Sequence, residues 1–272
     1  MQINPGIVAY FAPGGGLGHL NRALAVCLRL RDAGVDGRII TNSPFAEGLA
    51  LLARCPIVRL QTNRWAESAR AFVQEMRLRA VVTDTFPYGL RDEWRGAPPD
   101  VPLIHVARRL LTPFRIEPKK FSLILQAEPL AEEHRTALGL SVALPGPILL
   151  PPGRIATPIP PPLDRDGLTF VVHSGPEEEV ATLTALAQPP FVVVSPGSEL
   201  EYYPATNLYC RARRIITGAG YNSMADLLAQ RARHTSVAFP RRYDDQHARV
   251  QYFFREPADG TPQAVAAILS LL

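Results

Sequence analysis

The residues with the clearest chemical potential sit where apolar runs give way to glycine. The first is Pro13-Gly14-Gly15-Gly16-Leu17-Gly18-His19, followed at once by a helical pattern with Leu20, Leu24, Val26, Leu28 and Leu30. Glycines at a helix amino end let a ligand approach the backbone, and the free amides there favour phosphate or another anion. Within this loop, Gly16 and Gly18 are candidate substrate contacts. His19 stands where the helix field lowers an imidazole pKa, which suits a base near neutral pH or a ligand-positioning group. Arg22, one turn on, could orient a substrate anion or His19, or be a solvated helix charge. Asp84 ends the run Ala-Val-Val-Thr and precedes Thr85-Phe86-Pro87-Tyr88-Gly89. Its carboxylate could cap a following helix, contact an acceptor or assist His19.

A second group lies in the later half. Val171-Val172-His173-Ser174-Gly175-Pro176 closes a strand pattern, and Ser174 and Gly175 could lend amides to a diphosphate. The acids Glu177-Glu178-Glu179 suit a helix amino end. Further on, Gly218-Ala219-Gly220-Tyr221-Asn222-Ser223 forms another anion-accepting loop, with Gly218, Gly220, Asn222 and Ser223 as contacts. Asp226, one turn later, could bridge two vicinal ribose hydroxyls, because a carboxylate accepts from both. Asp245 and Gln246 follow the next strand pattern and could bond sugar hydroxyls.

The spacing excludes two common phosphate motifs. In the dinucleotide fingerprint, the third glycine would fall on His19, and no acid closes the second strand, which ends at Thr41-Asn42; a nicotinamide enzyme is disfavoured. The P-loop pattern fails because Gly18 is followed by His19-Leu20.

These residues need strands and helices to position them. Apolar β-rich runs alternate with helical patterns: 6–12 then 20–33, 37–41 then 44–54, 58–61 then 66–77, 80–84 then 88–94, and 102–107. Such a grammar implies a mostly parallel sheet with helices on both faces. It restarts after residue 165, with strands at 168–173, 191–195, 214–217 and 235–239 and helices at 178–187 and 223–229. Between them, 145–162 carries eight prolines and reads as an interdomain linker. The expected domains are 1–150 and 165–272, two α/β lobes whose strand ends face one cleft, with no long helix crossing back from the second to the first.

Composition bounds the partners. With 272 residues, 47% hydrophobic and 20% charged, the chain is long enough for two ordinary globular domains. The net charge of +4 is uneven: residues 1–150 hold 18 Lys or Arg against 13 Asp or Glu, and residues 151–272 hold 11 against 12. That excess would suit an anionic acceptor or a peripheral contact with a membrane surface, whereas the lack of long charge blocks disfavours nucleic acid. No apolar run is long enough to span a bilayer and no secretory signal opens the chain, so a cytoplasmic address is expected. Cys27, Cys55 and Cys210 are read as three buried thiols, with no disulfide or zinc site.

Taken together, Gly16-Leu17-Gly18-His19-Leu20-Asn21-Arg22, Asp84-Thr85-Phe86-Pro87-Tyr88-Gly89-Leu90 and Tyr203-Pro204 through Ala219-Gly220-Tyr221-Asn222-Ser223 resemble glycosyltransferases of the B fold. These are relatives of the N-acetylglucosaminyltransferase that makes the lipid-linked peptidoglycan precursor. The glycine-histidine-arginine pattern also resembles the UDP-sugar hydrolase of the pseudaminic acid pathway. The resemblance implies two Rossmann-like lobes, an acceptor side in 1–150 and a nucleotide-sugar side in 165–272. It implies transfer of a sugar from a UDP-linked donor to a hydroxyl acceptor, metal-independent, inverting and without a cofactor. His19 would then be the base or positioning group on the acceptor side. Asp226 falls where the family has Glu on the ribose, Ser174 and Gly175 at the diphosphate loop, and Asp245 and Gln246 near the donor sugar. Hydrolysis of the same donor, or nucleotide-sugar binding without turnover, are the rival readings.

Overall fold

The computed structural model describes residues 6–96, 99–251 and 258–272. It divides into two units, the first formed by Met1–Leu149 with Ala258–Leu272 and the second by Leu150–Pro257.

The first unit carries a seven-stranded, all-parallel sheet. Its strands are β1 (Ile7–Phe11), β2 (Asp36–Thr41), β3 (Ile57–Arg59), β4 (Leu78–Asp84), β5 (Leu103–Ala107), β6 (Leu123–Gln126) and β7 (Val142–Ala143). The helices are α1 (Leu17–Asp32), α2 (Ala46–Ala53), α3 (Trp65–Glu75) and α4 (Glu132–Leu138). β1 reads Ile-Val-Ala-Tyr-Phe and is buried throughout, as a parallel strand covered on both faces must be. Phe11, Trp65, Tyr88 and Trp94 dominate one core face, where the Phe11 ring meets the Trp94 ring edge-on at 5.4 Å.

Strand order is β3-β2-β1-β4-β5-β6-β7. Winding therefore reverses between β1 and β4, and the carboxyl ends of those two strands flank the crevice that open α/β sheets use for ligands.

The second unit has a smaller parallel sheet of β8 (Thr169–Val172), β9 (Phe191–Val194), β10 (Arg214–Gly218) and β11 (His234–Val237), in the order β11-β10-β8-β9. Here winding reverses between β8 and β10. Its helices are α5 (Glu177–Thr184), α6 (Tyr221–Asp226) and α7 (Gln246–Gln251). The core gathers Leu163, Phe170, Leu208, Ile215 and Leu227.

Three sequence expectations change. The tail does not stay with the second unit. Helix α8 (Thr261–Leu269) belongs to the first, packs on α1 and buries Ala264, Val265 and Ile268. Asp259 pairs with Arg29 at 2.8 Å, and the Thr261 hydroxyl both accepts from the Leu149 amide and donates to the Leu149 carbonyl. The second unit also begins earlier than residue 165. Beyond Leu150 the proline-rich segment is packed: Ile155 and Leu163 are buried, and Asn207 Nδ2 donates to the Ile155 carbonyl. The helix expected at 88–94 is instead a chain of turns. Gly89 and Asp92 adopt positive φ, and the buried Glu93 carboxylate accepts from the Leu90 and Arg91 amides.

Cys27 and Cys55 are buried as expected, whereas Cys210 is exposed. No helix among the described residues is long and apolar enough to cross a membrane.

Candidate active site

β1 delivers the chain to Gly14, and α1 starts at Leu17 with Gly16 as its cap residue. The Gly14 amide donates to Asn42 Oδ1 at 2.7 Å, which fixes the loop against the end of β2. The four glycines have different jobs. A Cβ on Gly14 would lie 2.7 Å from His19 Cδ2, and its φ of +152° suits glycine; Cβ atoms on Gly15, Gly16 or Gly18 would meet nothing within 4 Å. Gly14 thus houses the imidazole, while Gly16 and Gly18 border open space.

Three groups converge at the β1/β4 switch point. Arg22 is wholly buried, and its guanidinium grips Asp84: Nη2 donates to Oδ1 at 2.9 Å and Nε to Oδ2 at 3.0 Å. The Thr85 hydroxyl donates to Asp84 Oδ1 at 2.9 Å. The Asp84 carboxylate caps no helix, because turns follow β4, and Arg22 is not a solvated charge. His19 Nδ1 lies 3.6 Å from Asp84 Oδ2 and 3.3 Å from Arg22 Nη2. The first distance is an ion-pair contact rather than a hydrogen bond. Arg22 has only donors, so a bond from it to Nδ1 would put the ring proton on Nε2. In the other tautomer, with Nδ1–H turned to Asp84, Nε2 would be free to accept a proton.

The electrostatics keep this histidine neutral. Burial lowers the His19 pKa more than Asp84 raises it, and Arg22 and Arg108 lower it further. Burial alone would raise the Asp84 pKa, but Arg22 and then His19 outweigh it and hold the carboxylate well below its ordinary range.

A further buried ion pair lies on the same sheet edge and was not foreseen. Arg108 follows β5 and Glu128 follows β6, with Nε donating to Oε1 at 3.3 Å and the Arg109 amide donating to the same oxygen at 3.0 Å. Arg108 stands just beyond the end of β5, much as Asp84 closes β4, a positional signal that could have found it. Phe86 stacks near His19 at 6.1 Å, and Phe114 meets Phe86 at 5.5 Å, giving this edge an aromatic wall.

In the second unit, Gly175 follows β8 and Gly218 ends β10, both at that sheet's switch point; Ser174 is exposed. Gly220 caps α6, which carries half-buried Asn222 and Ser223. Asp226 ends α6, half-buried, its carboxyl pushed up to about 8 by desolvation beside the Tyr203 and Tyr209 phenols. Gln246 is buried with Oε1 accepting from the Phe239 amide, and Asp245 Oδ1 accepts from the Ala248 amide at the start of α7. Both therefore already tie the loop after β11. Among the described residues, no three His, Cys, Asp or Glu side chains group as metal ligands.

Whole-chain comparison with solved structures places this architecture. The glycosyltransferase SnogD from Streptomyces nogalater superposes with a TM-score of 0.58 at 14% identity, covering 98% of this chain and 96% of that one. MurG of Acinetobacter baumannii gives 0.52 at 14% identity, covering 98% and 91%. The chain has the glycosyltransferase-B fold. SsfS6 of Streptomyces sp. SF2575, solved with thymidine diphosphate, gives 0.53 at 11% identity, covering 98% and 96%. No family model and no curated protein sequence matches the chain.

The Gly14 geometry gives a direct expectation. Gly14→Ala should push the imidazole aside and lower turnover by about 10²-fold, the usual cost of a misplacement near 1 Å. Gly15→Ala, whose added carbon meets nothing, should leave turnover nearly unchanged. Steady-state kinetics on the two variants checks this.

Proposed function

We propose that this chain transfers a sugar from a nucleotide-sugar donor, UDP-linked, to the hydroxyl of an acceptor, with inversion and without a metal. The observation that carries the proposal is a half-buried, neutral-biased histidine beside a buried, Arg-held carboxylate at the β1/β4 switch point of a B-fold glycosyltransferase architecture.

In this reading the first unit takes the acceptor. His19 Nε2 accepts the acceptor hydroxyl proton while Nδ1–H turns to Asp84, and Arg22 fixes the carboxylate that orients the ring. The acceptor oxygen attacks the anomeric carbon from the face opposite the diphosphate. The bond from that carbon to the diphosphate oxygen breaks, and its electron pair leaves with the diphosphate. The second unit takes the nucleotide, with backbone amides near Ser174, Gly175, Gly218, Gly220, Asn222 and Ser223 meeting the phosphates. A neighbour of the same fold was solved with thymidine diphosphate, which supports a nucleoside diphosphate as the class of leaving group. Asp245 and Gln246 would contact the donor sugar with whatever hydrogen-bonding capacity their loop roles leave. The basic first half suits an anionic acceptor or one presented at a membrane surface.

Asp226 provides the affinity test. Near neutral pH its carboxyl keeps a proton and can both donate to and accept from ribose hydroxyls. Asp226→Ala should weaken UDP by about 1 to 3 kcal/mol in titration calorimetry. Unchanged affinity would move the ribose contact to another residue. Free sugar released without any acceptor would mark hydrolysis instead, and binding without turnover on any donor would mark a sensor.

A further inference from the structure

His173 is the first residue beyond β8, and it stands at the switch point of the second sheet. Its ring fills a slot that only glycine neighbours leave. A Cβ on Gly218 would lie 2.7 Å from Cε1 and 3.0 Å from Nδ1, and one on Gly175 would run into Nε2. Phe239 forms the apolar floor, its ring 5.5 Å from the imidazole. These two glycines, which read in sequence as room for a ligand, make room for a side chain.

That side chain belongs to a hydrogen-bonded network of three ionisable groups. Glu179, in the first turn of α5, brings Oε2 within 2.6 Å of His173 Nε2. Arg241, from the loop after β11, donates Nη1 to Glu179 Oε1 and Nη2 to Oε2, both at 2.5 Å, and its guanidinium carbon lies 5.7 Å from the Phe239 ring centre. The His173 and Glu179 side chains are 10% and 15% exposed and Arg241 is 30% exposed, so the carboxylate is largely enclosed and the guanidinium keeps an open side. Residues 177–179 would ordinarily be helix-end acids facing solvent. Glu179 instead occupies the position of an anion between two cation-forming groups at a sheet switch point, where an open α/β sheet binds its ligand.

We infer that His173 and Arg241 are the anion-holding pair for the donor's diphosphate, with Glu179 as an internal counter-ion that orients both and yields part of Arg241 to the incoming phosphate. The inference rests on the nucleotide-sugar reading above. Arginine suits the task because its fork matches phosphate oxygens two at a time. Burial lowers the His173 pKa against the raising influence of Glu179, and Arg241 lowers it further, so the free protein holds a neutral ring. Arg241 itself is held charged by Glu179, with Asp244 adding to the same effect. A bound diphosphate adds negative charge and draws a proton onto the ring, so diphosphate affinity should fall as pH rises from 6 to 8.

Titration calorimetry of the full chain with UDP, TDP and uridine, at pH 6 and 8, tests this. Arg241→Gln should weaken both diphosphates by at least about 10-fold, the loss expected for a charged hydrogen bond, and leave uridine unchanged. Arg241→Lys, which keeps the charge and loses the fork, should fall between. Glu179→Gln should tighten the diphosphates severalfold, and His173→Gln should flatten the pH dependence. A wild type that binds UDP or TDP, with all four variants showing the same diphosphate-to-uridine ratio and the same pH dependence, would overturn the inference alone. A tighter grip is the opposite of what a purely structural Glu179 would give, so weaker diphosphate binding in Glu179→Gln also counts against it. A wild type that binds no nucleotide would overturn the nucleotide-sugar reading and the inference with it.

Discussion

His19→Ala should lower turnover by about 10² to 10⁴, the usual share of general base catalysis, while leaving donor affinity nearly unchanged. The second expectation follows because the residues assigned to the nucleotide belong to the other unit. The pH profile carries the stronger discrimination. A base works when deprotonated, so kcat/KM of the intact protein should rise with pH through the imidazole pKa. Burial holds that pKa below the ordinary 6.5, so the rise should lie on the acid side and the rate should be flat near neutrality. In His19→Ala the acid limb should vanish. If the ring only packs Gly14 against α1, the variant should lose melting temperature and both kinetic constants together, with an unaltered profile.

Asp84→Ala should be the most destabilising single change in the site. It strips the counter-ion from Arg22, which is wholly buried and has no route to solvent. Breaking a buried pair by removing one partner costs about 3 to 5 kcal/mol. For a unit of this size that is a fall of about 6 to 20 °C in Tm. Turnover should fall as well, because nothing then turns Nδ1–H of His19 toward an acceptor. The paired change Arg22→Met with Asp84→Leu separates the two effects: stability should return toward wild type, since well-packed apolar residues can replace a buried ion pair, while turnover stays low. Thermal melts and kinetics on the single and double variants decide it. A double variant with restored activity would show that the pair is structural only.

Much of the framework was legible from local pattern, because buried parallel strands must be continuous apolar runs and their ends must be polar or glycine-rich. β1, β4, β8 and β10 all announce themselves in this way, and so do His19 and Asp84 at two of their ends. The misreadings have physical causes. Tyr88-Gly89-Leu90-Arg91-Asp92-Glu93-Trp94 has helix-like composition, yet the buried Glu93 carboxylate offers the Leu90 and Arg91 amides a better partner than a helix would, and Gly89 supplies the positive φ the turn needs. Helix α8 was signalled by Gly260-Thr261-Pro262, a good helix start, but nothing local says which unit a nine-residue helix will join. Arg22 and Asp84 are 62 positions apart, and so are Glu179 and Arg241. Sequence spacing holds no trace of either pair, so Glu179 read as a helix-end acid and Arg22 stayed open between orienting a substrate anion or His19 and being a solvated charge.

Sugar transfer of the proposed kind requires this chain to break the bond between a sugar and a nucleoside diphosphate. The most direct measurement is the release of nucleoside diphosphate from a panel of nucleotide sugars, UDP-linked and TDP-linked, with and without hydroxyl acceptors. At least one donor should release its diphosphate in an acceptor-dependent way, at a rate that His19→Ala cuts by about 10² or more. Binding of no donor, or release that His19→Ala leaves intact, would contradict the account.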